Sequence, residues 1–164
     1  MSTTSTPALP PFQRFLDAER DTVWRYLVSR VGPGEAEDCF QETFAAALRA
    51  YPRLRPDSNL RAWVLTIAQH KTLDAHRARS RRAVPVAEPG EIAQRDSVPG
   101  PEAGEEALWQ AVGALPERQR SAVTLRYVAD LPHREIAAAL GCSEEAARRS
   151  LHEGLKKLRK AVEQ

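Results

Sequence analysis

Six histidine and cysteine side chains of this 164-residue sequence could ligate a metal or act in catalysis: His70, His76, His133, His152, Cys39 and Cys142. Their spacing argues against a catalytic centre. His70 and His76 stand six apart, which turns them about 120° from one another on a helix. His70 and Asp74 stand at i, i+4, where a base can meet an orienting carboxylate but a surface hydrogen bond is the ordinary outcome. Cys39 falls on an apolar helical stripe and reads as a small core residue. Cys142 precedes a helix, where a thiol can become redox-sensitive, but no second cysteine is near. A metal site would need ligands gathered from distant segments. The sequence contains no HExxH, no paired CxxC and no glycine-rich phosphate loop. An enzyme is therefore disfavoured, and no catalytic residue, cofactor or metal is expected. The remaining chemistry is that of the cations. Arg77, Arg79, Arg81 and Arg82 form one run; Arg148, Arg149, Lys156, Lys157, Arg159 and Lys160 form another. Such spacing suits a polyanion, although it also suits a solvated helix face.

The charge distribution sharpens this. The formal net charge is +2, from 24 basic and 22 acidic residues. Residues 1–82 carry +4, residues 83–107 carry −5 and residues 108–164 carry +3. Two basic blocks thus flank an acidic connector. Hydrophobic residues make up 42% and charged residues 28%, a globular balance. Two distant cysteines do not make a disulfide scaffold. No apolar run approaches the 18 or so residues of a membrane span. The start, MSTTSTPALPPFQ, has neither the basic nor the apolar part of a secretory signal. A soluble protein of the reducing cytoplasm is expected.

The elements that must position these cations read as helices. Residues 12–31 place Phe12, Phe15, Leu16, Val23, Tyr26, Leu27 and Val31 near one face. Gly32-Pro33-Gly34 ends that helix. Ala36, Cys39, Phe40, Thr43, Phe44, Ala47, Leu48 and Tyr51 then follow at steps of three or four. Pro52 and Pro56 bracket a turn. A third helix spans about Asn59–Arg82, with Leu60, Trp63, Val64 and Ile67 as its expected buried stripe. Residues 83–104 contain four prolines and no sustained period, and read as a linker. A structureless stretch of that length marks a domain boundary. Helices resume near Glu105. Pro116 suits the first turn of the next, which runs to about Ala129. The last carries Ala147, Leu151, Leu155, Leu158 and Val162. The expected fold is all-α: a tail over 1–11, a three-helix domain over 12–82, an acidic flexible linker over 83–104, and a second small helical domain over 105–164.

The second domain contains the clearest motif. In REIAAALGCSEEAARRSLHEGLKKL a short helix, His133–Leu140, meets a turn in which Gly141 permits positive φ. Ser143 offers an N-cap, with Glu144 and Glu145 in the first turn of a longer helix. Ile136, Ala137, Leu140 and Ala147 would pack the two helices together. This is helix-turn-helix grammar, which lays its second helix in a DNA major groove.

The whole chain resembles the extracytoplasmic-function (ECF) sigma factors, the two-domain group of bacterial RNA polymerase sigma subunits. One block is AEDCFQETFAAALRAYPRL followed by NLRAWVLTIAQHKTLDAHRARSRR; the other is LPERQRSAVTLRYVADLPHREIAAALGCS. Their order and spacing make the match specific. The resemblance implies a region 2-like three-helix bundle and a region 4-like helix-turn-helix domain. It also implies promoter recognition, promoter melting and initiation, with core RNA polymerase (β′ clamp helices and β flap) and promoter DNA as partners. Many family members are held inactive by an anti-sigma protein, so such a partner is implied too; no residue identifies one. Asp38, Gln41 and Glu42, with Ala45, would dock on the clamp helices, where carboxylates add complementarity and orientation. Around Tyr51–Asn59, the −10 element would be read and opened by Arg53, Arg55, Asn59, Arg61 and Lys71. Arg77, Arg79, Arg81 and Arg82 would meet duplex phosphates. Trp63 could stack on a base, yet its place on the stripe predicts burial. Glu88, Glu91, Asp96, Glu102, Glu105 and Glu106 would let the linker mimic nucleic acid in the polymerase.

The −35 element would fall to Ser143, Glu145, Arg148, Arg149, His152 and Lys156. Here the chain departs from the family's G-T-V-K/R-S-R-L-H-R-A-R. Arg149 and Ser150 are exchanged in order, and Glu153 and Leu155 replace usual basic residues. Glu144 and Glu145 repel phosphates unless they accept from a cytosine amino group. Leu60 and His70 replace the usual Phe and Asn upstream. Two alternatives follow: a stand-alone helix-turn-helix DNA-binding regulator, or a degenerate sigma-like protein that binds polymerase or a regulator but reads promoters poorly.

Overall fold

The computed structural model describes residues 8–82 and 103–164. Those residues form six α-helices and one 3-10 turn, with no strand among them. Helix α1 spans Phe12–Ala50, the 3-10 turn spans Tyr51–Arg53, and α2 spans Leu60–Arg82. Helix α1 is two arms joined at a kink. Gly32 alone leaves the helical region, at φ 77° and ψ 163°, a left-handed value that favours glycine. Pro33, which lacks an N–H, follows at once and starts the second arm. The first two expected helices are these arms.

The arms and α2 pack around Phe15, Val23, Tyr26, Leu27, Phe44, Val64 and Leu65, all buried. Five rings meet at Phe15 in this core. Phe15 lies 5.6 Å from Phe12, 6.2 Å from Phe44, 5.5 Å from Tyr51 and 5.8 Å from Trp63, between ring centroids.

Three apolar stripes differ from expectation. On α2 the buried set is Ala62, Val64, Leu65, Ala68, Gln69 and Thr72, while Leu60, Trp63 and Ile67 are only partly covered. The cause is that α2 is packed by α1 and also by a helix of the second domain, which rotates and widens its buried face. Leu48 and Val162 belong to their stripes by period but are exposed.

The second domain holds α3 (Ala103–Gly113), α4 (Glu117–Tyr127), α5 (His133–Leu140) and α6 (Glu144–Val162). Helix α3 starts two residues before the expected point, so Glu105 and Glu106 are helical and not linker residues. Glu88, Glu91, Asp96 and Glu102 lie outside the described residues. Leu115, Leu125, Leu131, Ile136, Leu151 and Leu158 make the core, without a ring. Gly154 brings α6 close to α4. A Cβ there would stand 2.9 Å from a Val123 methyl and 3.4 Å from the Gln119 carbonyl oxygen. The two domains also touch: α4 packs on α1, and α5 packs on α2. Among the described residues no helix is long and apolar enough to cross a membrane.

Candidate nucleic-acid and polymerase interfaces

The 51–59 loop is held at both ends by the first domain's core. Tyr51 stacks on Phe15 and donates its hydroxyl hydrogen to the Pro10 carbonyl. Leu54 N–H closes the 3-10 turn on the Tyr51 carbonyl at 3.1 Å, and Ser58 N–H bonds the Arg55 carbonyl at 3.1 Å. Asn59 caps α2, its side-chain oxygen accepting from Ala62 N–H at 3.1 Å. Its role is thus structural at its oxygen, which leaves the amide NH2 outward. Trp63 packs at a tilt against Phe15 and Tyr51 and is half-buried, short of the full burial that its stripe position predicts.

Arg53, Arg55, Arg61, Arg77, Arg79, Arg81 and Arg82 are all exposed, and Lys71 is half-buried. Arg53 and Arg55 lie in the loop, Arg61 in the first turn of α2 and the other four near its end, where Arg77 and Arg81 border a cavity that Glu117 of α4 also lines. Two are held from across the fold. Arg61 Nε donates to Glu19 Oε2 at 2.9 Å, and Arg79 Nε to Glu35 Oε1 at 3.1 Å. Arg77 lies 3.8 Å from Asp74 one turn earlier; no hydrogen bond joins His70 to Asp74 among the described residues.

The second arm of α1 has the expected two sides. Cys39, Thr43, Phe44 and Ala47 are buried, and Asp38, Gln41, Glu42 and Ala45 are exposed. Burial, then the carboxylates of Glu42, Glu35 and Asp38, push the Cys39 thiol upward, so it is an inert core group beside an anionic face. Asp38, Gln41 and Glu42 bond to no other side chain among the described residues, whereas Glu19 and Glu35 do.

In the second domain the helix-turn-helix is built by caps. Gly141 sits at φ 65°, ψ 37° and ends α5. Gly141 N–H bonds Ala138 O at 3.3 Å and Cys142 N–H bonds Ala137 O at 3.1 Å, so the last carbonyls are satisfied. Ser143 Oγ accepts from Ala146 N–H at 3.1 Å and starts α6. Ile136, Ala137 and Ala147 are buried between the helices, and Leu140 is half-buried. On the outer face of α6 the cations are paired locally. Arg148 donates to Glu144 at 2.8 Å and Arg149 lies 3.5 Å from Glu145, both at i, i+4. His152 and Lys156 are exposed on the same helix.

A polar chain joins the domains, a contact that the sequence motifs do not predict. The Arg30 side chain is wholly buried and donates to Glu117 at the start of α4. Arg120 donates to the other Glu117 oxygen. Ser121 Oγ donates to Glu117 at 3.3 Å, Gln69 Nε2 donates to Ser121 Oγ at 3.0 Å, and Tyr26 donates to the Gln69 oxygen. Burial opposes the Glu117 carboxylate, but Arg30 and Arg120 outweigh it and hold its pKa below the ordinary value. Burial pushes Tyr26 up to about 12. The signal was legible: Arg30 completes the spacing of Val23, Tyr26, Leu27 and Val31, an ion on an apolar stripe. Such a group is expensive to bury unless paired.

Two family models cover most of the chain: Sigma-70 region 2 matches residues 15–82, and Sigma-70 region 4 matches residues 105–158. The chain is 35% identical over 158 residues to the ECF RNA polymerase sigma factor SigD of Mycobacterium tuberculosis, covering 90% of this chain and 74% of SigD. This chain belongs to the ECF sigma factors. It is 33% identical over 135 residues to SigC of the same species, covering 79% of this chain and 71% of SigC. Among solved structures, RpoE of Bartonella quintana, crystallised with the anti-sigma factor NepR, shares the fold with a TM-score of 0.80 and 21% identity, over 93% of this chain and 96% of RpoE. As a sigma factor this protein directs transcription initiation, which makes it a regulator that lends specificity to an enzyme. The all-α, two-domain expectation and the family resemblance both hold.

Proposed function

We propose that this sigma factor docks on the β′ clamp helices through Asp38, Gln41 and Glu42, and opens the −10 element with the 51–59 loop and the outer face of α2. The observation that carries this reading is the free anionic face on α1. Its carboxylates are exposed and make no ion pair among the described residues, whereas Glu19, Glu35 and Asp74 of the same domain each meet an arginine. A complementary basic surface would meet them with little desolvation and gain orientation. Arg53, Arg55 and Arg61 lie beside the loop for the displaced strand, and Arg77, Arg79, Arg81 and Arg82 lie along α2 for duplex phosphates. The β flap would take region 4, and the protein would work in the cytoplasm, where promoters and polymerase are. D38R combined with E42R should weaken core binding about a hundredfold, since the two reversed charges together replace attraction with repulsion worth roughly 3 kcal/mol. Unchanged binding would remove the docking assignment.

A second reading concerns the −35 element. Arg148 and Arg149 already bond to Glu144 and Glu145, so α6 offers duplex DNA fewer unpaired cations than its sequence suggests. Ser143, Glu145, Arg148, Arg149, His152 and Lys156 then act as a weak −35 reader, and specificity leans on the −10 element. Hydroxyl-radical footprints of the open complex should show strong protection at −10 and weak protection at −35. Equal protection would argue for full two-element reading.

A further inference from the structure

Near its C-terminal end α2 borders a cavity of about 500 Å³. Leu73, His76, Arg77, Ser80 and Arg81 line it from α2, and Glu117 lines it from α4. The five α2 residues recur at steps of three and one, so a single helical face presents them. The volume is ordinary for a small-molecule site, and a duplex is far too wide to enter it.

The cavity carries more positive than negative charge. Glu117 is its only carboxylate among the described residues, and Arg30 and Arg120 already match it. Arg77 meets Asp74 loosely, at 3.8 Å with both side chains mostly exposed, and Arg81 meets no carboxylate among the described residues. Thr66 and Thr72 of the same helix turn their hydroxyls back to its carbonyls, whereas the Ser80 hydroxyl makes no hydrogen bond among the described residues. Two guanidinium forks and a hydroxyl thus keep donors to spare on one wall. Arg77 and Arg81 stand one turn apart, about 6 Å between Cβ atoms. Each fork grips a phosphate through paired N–H groups, so this spacing suits two linked phosphoryl groups. Leu73 adds an apolar surface, and the volume leaves room for a larger body attached to the phosphates.

We propose that this cavity binds a nucleoside diphosphate: Arg77 and Arg81 hold the two phosphates, Ser80 donates to one of them, and the nucleoside lies over Leu73. The His76 ring belongs to the wall, but its Nε2 is buried, so it senses the bound charge without touching it. The ligand and promoter DNA then compete for Arg77 and Arg81. Only this competition rests on the reading of those two arginines as duplex contacts.

Calorimetry of the full chain with ADP, at fixed ionic strength and without divalent cations, tests the site. ADP should bind severalfold tighter than inorganic pyrophosphate, and sulfate should not displace it. R77Q and R81Q should each weaken ADP about tenfold, the loss of one charged hydrogen-bonding partner. R148Q/R149Q, on the outer face of α6, should leave its affinity unchanged. Both cavity variants should keep the helix content and melting temperature of the wild type, since both side chains are exposed. In proton NMR the His76 ring signals should move with ADP while those of His133 and His152 stay. No binding, displacement by sulfate at equal ionic strength, or a loss in R148Q/R149Q as large as in R81Q would overturn the site; the last two would mark ordinary screening of a basic surface. Pyrophosphate binding as tightly as ADP would overturn the nucleoside half of the proposal. Saturating ADP should also lower the affinity of the free chain for duplex DNA about threefold. ADP binding with no effect on DNA would keep the site and overturn the duplex role of Arg77 and Arg81.

Discussion

The two domains hold their proposed reading surfaces still with different materials. In the first, the surface is a loop, residues 51–59, which has little repeating backbone support of its own. It is fixed by five packed rings and by the Tyr51 bond to Pro10. In the second, the surface is a helix, which carries its own backbone bonds. An aliphatic core, the Gly141 turn and the Ser143 cap suffice to aim it. The cations differ in the same sense. Arg61 and Arg79 of the first domain are paired across the tertiary fold, to Glu19 and Glu35. Arg148 and Arg149 of the second are paired within their own helix. An irregular surface needs tertiary anchoring; a helical one can be tuned by neighbours one turn away.

The comparison is broken hardest at the ring cluster. Phe15 is 2% exposed and touches four other rings. Phe15→Ala should cost about 3–5 kcal/mol in the first domain, and should loosen the loop. Leu151→Ala in the aliphatic core should cost about 2–4 kcal/mol. Hydrogen exchange read by segment should show F15A exposing α1 and α2 while α6 keeps its protection. Equal loss of protection across both domains would mean that they do not hold their surfaces independently.

A milder change sharpens the electrostatic half. E144Q/E145Q removes the partners of Arg148 and Arg149 and leaves the cations in place. Affinity for a duplex should rise about three- to tenfold at low salt, and the plot of log K against log salt should steepen by about 1–2. The acidic first turn also favours the helix N-terminus by about 0.3–1 kcal/mol per carboxylate, so binding is measured well below the melting temperature. An unchanged salt slope would show that those ion pairs do not mask the cations.

Most of the secondary structure was legible because glycine and proline punctuate it. Gly32, Gly141, Pro116 and Pro132 each mark a helix limit that the structure keeps. The His133–Leu140 span and the Ser143 cap were readable from local chemistry alone. The α2 stripe was not, because it is set by a neighbour far away in sequence. Trp63 and Ile67 satisfy the period, but Gln69 and Thr72 are the residues that tertiary packing buries. The candidate site divides in the same way. Asp38, Gln41 and Glu42 sit where helical spacing put them, whereas the Glu19 and Glu35 partners of the arginines, and Glu117 for Arg30, depend on contacts that no local pattern encodes.

The smallest expected effect is on acid stability, and it comes from the boundary that the two domains share. His76 lies beside Glu117, and its Nε2 is buried without a partner. Burial lowers its pKa below the ordinary 6.5; Glu117 opposes this, while Arg30, Arg120 and Arg79 reinforce it. The unfolded chain thus binds a proton here more readily than the folded one. Stability then rises with pH, and His76's contribution is complete above pH 6.5 and fades as pH falls below it. Glu117, also lowered, adds a second loss further down, below its ordinary 4.5. Thermal melts should decline from pH 7.5 to 5.5 in the wild type, and H76Q should flatten that upper part while keeping the loss at lower pH. If H76Q and wild type trace the same curve, the boundary histidine is not a titrating element of the fold, and acid sensitivity belongs to Glu117 alone.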